Sequence, residues 1–147
     1  AGFEVKLFPV GRLDYDTEGL LLFTNDGEIA HKISHPSFLV QKTYLVHLKS
    51  KVSKALHSKM KKGANLRDGF LLPEKVELIN SDEDESLLKI EIHEGRNHII
   101  KNFFKFFGKE VSKLKRIRVG PIKLGELEPG QIVKLDYTEL EELKKIF

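Results

Sequence analysis

The sequence predicts an α+β fold, a mixed and largely antiparallel sheet with flanking helices. Two segments alternate with strand periodicity, Thr43–Leu48 and Leu87–Ile92. A third, Asn97–Phe107, carries apolar residues at helical spacing. Strand-like and helix-like stretches follow one another irregularly, without the regular strand–helix–strand repeat of a doubly wound sheet.

Taken in order, Gly19–Thr24 is a short apolar run ending in the turn signal Asn25-Asp26-Gly27. Glu28–Ser34 reads as a short helix stopped ahead of Pro36. In Thr43–Leu48, Tyr44, Val46 and Leu48 share one face and Thr43, Leu45 and His47 the other. Lys51–Lys62 is a lysine-rich helix closed by Gly63. Strands follow over Glu74–Ile79 and Leu87–Ile92, joined by the acidic turn Ser81–Glu85. In the second, Leu88, Ile90 and Ile92 alternate with Lys89 and Glu91, giving one buried and one wet face. Ile99, Ile100, Phe103, Phe104, Phe106 and Phe107 then form a wide apolar helix face, ended by Gly108. At this spacing they read as core rather than as base-stacking residues. Leu114–Val119 and Ile132–Leu135 are expected as strands, and Thr138 with Glu141 as the capping box of a last helix.

With 147 residues and no long Pro, Gly or Ser linker, the chain is expected to be one domain over residues 1–147. The absence of cysteine excludes disulfides, thiolate nucleophiles and cysteine metal sites. No apolar run reaches the roughly 20 residues of a membrane span, and the cytosol is the expected compartment. The net charge of +3 is unevenly spread. Between Arg96 and Lys123, nine basic residues face one acid, Glu110, so this segment carries +8 and the rest of the chain −5. A basic segment in an otherwise acidic chain suggests a polyanionic partner, with nucleic acid the commonest, or else a solvated face paired with acids elsewhere.

Few segments suggest chemistry. His31 and His35 stand one helical turn apart, but without a third ligand they read as surface or loop residues, and no metal is expected. There is no Gly-x-Ser-x-Gly elbow, no phosphate loop and no Gly-x-Gly-x-x-Gly, so nucleotide cofactors are not expected. Gly11-Arg12-Leu13-Asp14-Tyr15-Asp16-Thr17-Glu18-Gly19 is dense in glycine, carboxylate and hydroxyl groups and runs into an apolar strand, where catalytic groups are often placed. On physical grounds alone, Asp14 and Asp16 could equally be turn-formers. Glu94-Gly95-Arg96-Asn97 offers a phosphate site, or an ordinary turn and helix cap.

In combination these stretches are more specific. Val10 to Gly27, reading VGRLDYDTEGLLLFTNDG, resembles the signature of the RNA pseudouridine synthases of the RsuA/RluB type. Lys42-Thr43-Tyr44 resembles that family's tyrosine motif, and Glu94–Lys101 its third motif. Leu114–Gly125 followed by Leu127-x-Pro129-Gly130 resembles its closing segment. The four stretches occur in the family's order, and the match runs from about Pro9 to Leu143.

The resemblance implies the pseudouridine synthase catalytic fold and isomerisation of uridine in RNA, most naturally ribosomal RNA. The alternatives are the same chemistry on transfer RNA, or a non-catalytic protein of this fold that binds ribosomal RNA during ribosome assembly. Asp14 matches the catalytic aspartate that attacks uridine while the base is detached, turned and rejoined through carbon. Tyr44 matches the tyrosine that stacks on the base, with proton transfer as general base the alternative if its pKa is lowered. Lys101 falls at the basic position that pairs with the aspartate, where a cation keeps the carboxylate ionised. Arg12 is expected at the phosphate or in the space vacated by the flipped nucleotide, and Arg96, Asn97, Lys115, Arg116 and Arg118 on the RNA backbone, with salt-dependent affinity. An isomerisation has no net redox or hydrolytic step, so no cofactor is implied, and a monomer is expected. Ile99 departs from the pattern, standing where the family usually has glutamine. The family's N-terminal S4-like domain and first catalytic strand are not seen, so the chain is expected to be an N-terminally shortened catalytic domain.

Overall fold

The computed structural model describes residues 6–35, 38–96 and 98–146. Its elements run β1 (Phe8–Val10), β2 (Thr17–Gly19), β3 (Leu22–Thr24), α1 (Gly27–Ser34), β4 (Lys42–Leu48), α2 (Lys54–Met60), β5 (Ala64–Leu66), β6 (Gly69–Leu71), β7 (Lys75–Ser81), β8 (Ser86–Ile92), α3 (Ile99–Phe106), β9 (Val111–Val119), β10 (Ile122–Lys123) and α4 (Tyr137–Lys144). The α+β expectation holds. Strands β10-β9-β4-β8-β7 form the main sheet, antiparallel throughout, and β2 adds to β9 in parallel. Two small pairs, β1 with β3 and β5 with β6, stand apart from it.

Alternation decides which face of this sheet is covered. Tyr44, Val46 and Leu48 of β4 and Leu88, Ile90 and Ile92 of β8 are buried together with Ile99, Ile100, Phe103 and Phe104 of α3. Leu45 pairs with Lys89 on one side and Lys115 on the other. Because paired residues share a face, these lysines stand on the opposite, wetter face. The phenylalanine helix is therefore core, as its spacing predicts, except that Phe106 points outward, 54% exposed. A second, smaller cluster joins Val10, Leu20, Ile33, Val40, Val119, Ile122 and Leu143, so that α1, α4 and β10 pack around the start of the chain.

Several boundaries differ from the sequence reading. The run Gly19–Thr24 is broken at Leu20–Leu21: its head pairs with β9 and its tail with β1. The Asn25-Asp26-Gly27 signal is the start of α1, with Asp26 accepting from the Glu28 and Ile29 amides at 3.0 and 3.3 Å. α2 is shorter than expected, beginning after the Ser53 cap. Ile132–Leu135 is not a strand: it pairs with no other strand among the described residues, and Ile132 and Val133 are exposed. The final capping box sits two residues earlier, on Asp136 and Glu139, because Asp136 accepts from the Glu139 amide at 2.8 Å while Glu139 accepts from the Asp136 amide at 3.0 Å. The β5–β6 hairpin has no counterpart in the reading, its three-residue strands being too short to show periodicity.

Candidate active site

The segment between β1 and β2 is held by its own backbone. The Thr17 amide donates to the Asp14 carbonyl at 2.9 Å, so residues 14–17 do form a turn. The turn and the site are not rivals: the Asp14 backbone makes the turn while its side chain, about one-third exposed, lines a cavity of about 600 Å³. Asp14 Oδ2 lies 3.2 Å from His98 Nδ1. Two residues on, Asp16 is paired with Lys101, and this contact holds its carboxyl below the usual carboxylate range. Lys101 thus meets Asp16 rather than Asp14. Tyr15, between the two acids, is fully exposed.

The opposite wall is the sheet. Lys42 and Tyr44 are two residues apart on β4, so both side chains project into the cavity. Arg116 of β9 lies directly across from Tyr44 and is buried. Burial pushes the Tyr44 phenol up, against the opposing pull of the Arg116 guanidinium that hydrogen-bonds it; Asp14 pushes it further up. A phenol so placed stays protonated at neutral pH and presents a flat, uncharged ring. Burial, and then the charge of Arg116, bring the Lys42 ammonium below its ordinary value.

The third wall is the entry to α3. Gly95, Arg96, His98, Ile99 and Ile100 line the cavity there. Arg96 is heavily engaged: it pairs with Glu94, reaches Asp68 at 3.0 Å and donates to the Phe70 carbonyl at 3.2 Å, tying the β5–β6 hairpin to the site. Asn97 lies outside the described residues.

Of the residues singled out from sequence, the cavity gathers Arg12, Asp14, Tyr44, Arg96 and Arg116. Lys101 is not among its lining residues. Lys115 is on the far face of the sheet, and exposed Arg118 donates from Nε to the Gly120 carbonyl at 2.7 Å. The basic stretch from Arg96 to Lys123 is consequently not one patch, because strand alternation sends Arg116 inward and Lys115 outward. Lys42, His98 and Thr17, which also line the cavity, lie inside the motif stretches but are assigned no role of their own there. Among the described residues, the Thr17 hydroxyl is a buried side-chain oxygen left without a hydrogen-bond partner. His31 and His35 are exposed, with rings 4.8 Å apart.

Chemically, the described cavity wall combines one carboxylate with Arg12, Lys42, Arg96 and Arg116, an uncharged aromatic ring and an imidazole. Cations in excess suit a phosphate-bearing ligand, the ring suits a planar base, and a carboxylate is a candidate nucleophile.

Known proteins match the chain over most of its length. A profile described as RNA pseudouridylate synthase matches residues 2–106. The chain is 47% identical over 140 residues to an uncharacterized RNA pseudouridine synthase of Aquifex aeolicus, covering 95% of this chain and 56% of that protein. It is 39% identical over 143 residues to the ribosomal large subunit pseudouridine synthase B of Bacillus subtilis, covering 96% and 59% respectively. A crystal structure of a pseudouridylate synthase superposes with a TM-score of 0.85 at 36% identity, over 94% of this chain and 60% of that one. An H/ACA RNP bound to a substrate RNA shares the fold, with a TM-score of 0.65 at 18% identity over 83% of this chain and 41% of that one. The chain thus spans somewhat more than half the length of the relatives it matches. With the motif loop, the tyrosine strand and the α3 entry meeting at one cavity, and with these matches over most of its length, the chain belongs to the RNA pseudouridylate synthase family.

Proposed function

We propose that this chain is the catalytic part of an RNA pseudouridine synthase acting in the cytosol as a monomer, with uridine in ribosomal RNA as its substrate. The observation that carries the reading is the placement of Asp14 opposite Tyr44 in a cavity rich in cations. The ribosomal target is supported by the relative named for the large ribosomal subunit.

In this reading a uridine is flipped out of the RNA into the cavity, at a cost of a few kcal/mol, roughly, that is lowest in loops and bulges. Asp14 attacks it as a carboxylate nucleophile while the bond from nitrogen 1 to the sugar breaks. The uracil turns, carbon 5 bonds to the sugar carbon, the covalent bond to Asp14 breaks and returns its carboxylate, the hydrogen on carbon 5 leaves as a proton, and nitrogen 1 takes one up. Atoms and electrons balance without a cofactor. Tyr44 stacks on the base, and its protonated phenol adds no charge that would repel Asp14. Arg116 and Lys42 set positive charge around the nucleotide, and Arg12 at the cavity mouth takes its phosphate. Lys101 neutralises Asp16, so the loop presents one free carboxylate rather than two to a polyanion.

Tritium release from RNA labelled at carbon 5 of uridine tests this. Ribosomal RNA transcripts should release tritium, with transfer RNA releasing far less. Binding without release from either would favour the non-catalytic RNA-binding reading.

A further inference from the structure

The backbone of His98 has φ 53 and ψ 27, the left-handed region that residues other than Gly, Asn and Asp seldom enter. The residue stands at the N-cap of α3, yet its side chain makes no capping bond. The ring instead reaches the β1–β2 loop and Asp14. Of the charged groups around it, Asp14 and Asp16 belong to that loop and Lys101 to its own helix. Since Lys101 is taken by Asp16, the cation expected to steady Asp14 is engaged elsewhere, and the imidazole occupies that role at 3.2 Å. The contact is with Oδ2, which leaves Oδ1 available. Both the protonated ring and its Nδ1–H tautomer offer a donor at that atom.

We propose that His98 is a positioning residue for the reaction, its Nδ1–H fixing Asp14 through Oδ2 so that Oδ1 is aimed at the bound uridine. The inference rests on the assignment of Asp14 as nucleophile. It explains why a residue with a Cβ is held in a left-handed conformation beside the site: that conformation turns the ring toward the loop instead of along the helix.

Three variants separate contact from backbone. His98→Gly relieves the left-handed conformation but removes the donor. His98→Asn tolerates that conformation and keeps an amide N–H near the Nδ1 position, and His98→Ala loses the donor and keeps the strain. In tritium release, Ala and Gly should lower kcat by about 10- to 100-fold with KM within about threefold, and Asn should recover most of the loss. Gly as active as the parent, or Asn as poor as Gly, would overturn the proposal. A readout free of turnover is nitrogen NMR of the His98 ring, whose Nδ1 signal should move in Asp14→Asn. An unchanged signal would overturn the contact itself. A parent whose Nδ1 signal differs from that of Asp14→Asn but which releases no tritium would overturn the assigned reaction, and the positioning role with it, while leaving the contact standing.

Discussion

Arg116 and Leu20 bind each other in both directions. The Arg116 guanidinium donates from Nε to the Leu20 carbonyl at 2.9 Å, and the Leu20 amide donates to the Arg116 carbonyl at 2.8 Å. A buried guanidinium is costly unless its donors are satisfied, and here the carbonyl it uses belongs to the end of the motif segment. One residue therefore clamps the Asp14 loop to the sheet and faces Tyr44 across the β4–β9 pair. The cavity's two main walls are joined at this point.

That clamp depends on Gly19. Its φ is +118, and a Cβ there would lie 2.2 Å from the Arg116 carbonyl oxygen, which cannot retreat without breaking the β2–β9 pairing. Gly19→Ala is expected to cost roughly 3–5 kcal/mol in urea unfolding. Gly95→Ala, where a Cβ meets nothing within 4 Å, should change stability by less than about 0.5 kcal/mol.

Thr17 offers the opposite case. Its hydroxyl is buried without a partner, so replacing it with an apolar group of the same shape removes an unpaid desolvation penalty. Thr17→Val should be neutral or stabilising by up to about 1 kcal/mol in thermal unfolding. A loss of about 1 kcal/mol or more would mean that the hydroxyl is bonded in solution.

Tyr44 predicts an alkaline signature. Its phenol is raised above 10.0 by burial, so the folded state favours the protonated form. The resulting stability is fully present below pH 10.0 and is lost as the pH rises from there through the folded value. The difference in phenolate absorbance between the parent and Tyr44→Phe should appear only above pH 10.0, and should move down to the ordinary midpoint on unfolding. Asp14→Asn should lower the folded midpoint, because the aspartate charge pushes it up.

RNA binding should follow position rather than charge count. Arg12 lines the cavity, whereas Lys115 stands on the opposite face of the sheet. Arg12→Glu should weaken RNA binding and reduce the slope of log affinity against log salt by about one. Lys115→Glu should do markedly less. Equal losses would place RNA on both faces.

Periodicity made α3, β4 and β8 legible because each buries one continuous face: Phe103 and Phe104 inward at helical spacing, Leu88, Ile90 and Ile92 inward at strand spacing. Ile132–Leu135 shows the limit of that signal, since its residues can alternate without pairing with any other strand among the described residues. The candidate site was legible through motif order, which brought Asp14 and Tyr44 to one cavity. Charge partners were not. Asp14 and Asp16 are equivalent acids in the sequence, and only the turn at residues 14–17 sends one to His98 and the other to Lys101. Likewise nothing in Lys115-Arg116 says which cation is buried until the strand pairing is known, and Tyr44↔Arg116 decides it.

The account turns on Asp14 as nucleophile, and the most direct test is single-turnover tritium release by Asp14→Asn measured alongside its RNA affinity. The isosteric amide keeps the turn but cannot attack as a carboxylate. Turnover should fall by at least about a thousandfold, with Kd within about threefold of the parent, less than 1 kcal/mol of binding free energy. Turnover within about tenfold of the parent, or a parallel loss of affinity and folding, would contradict it and return Asp14 to a purely structural role in its turn.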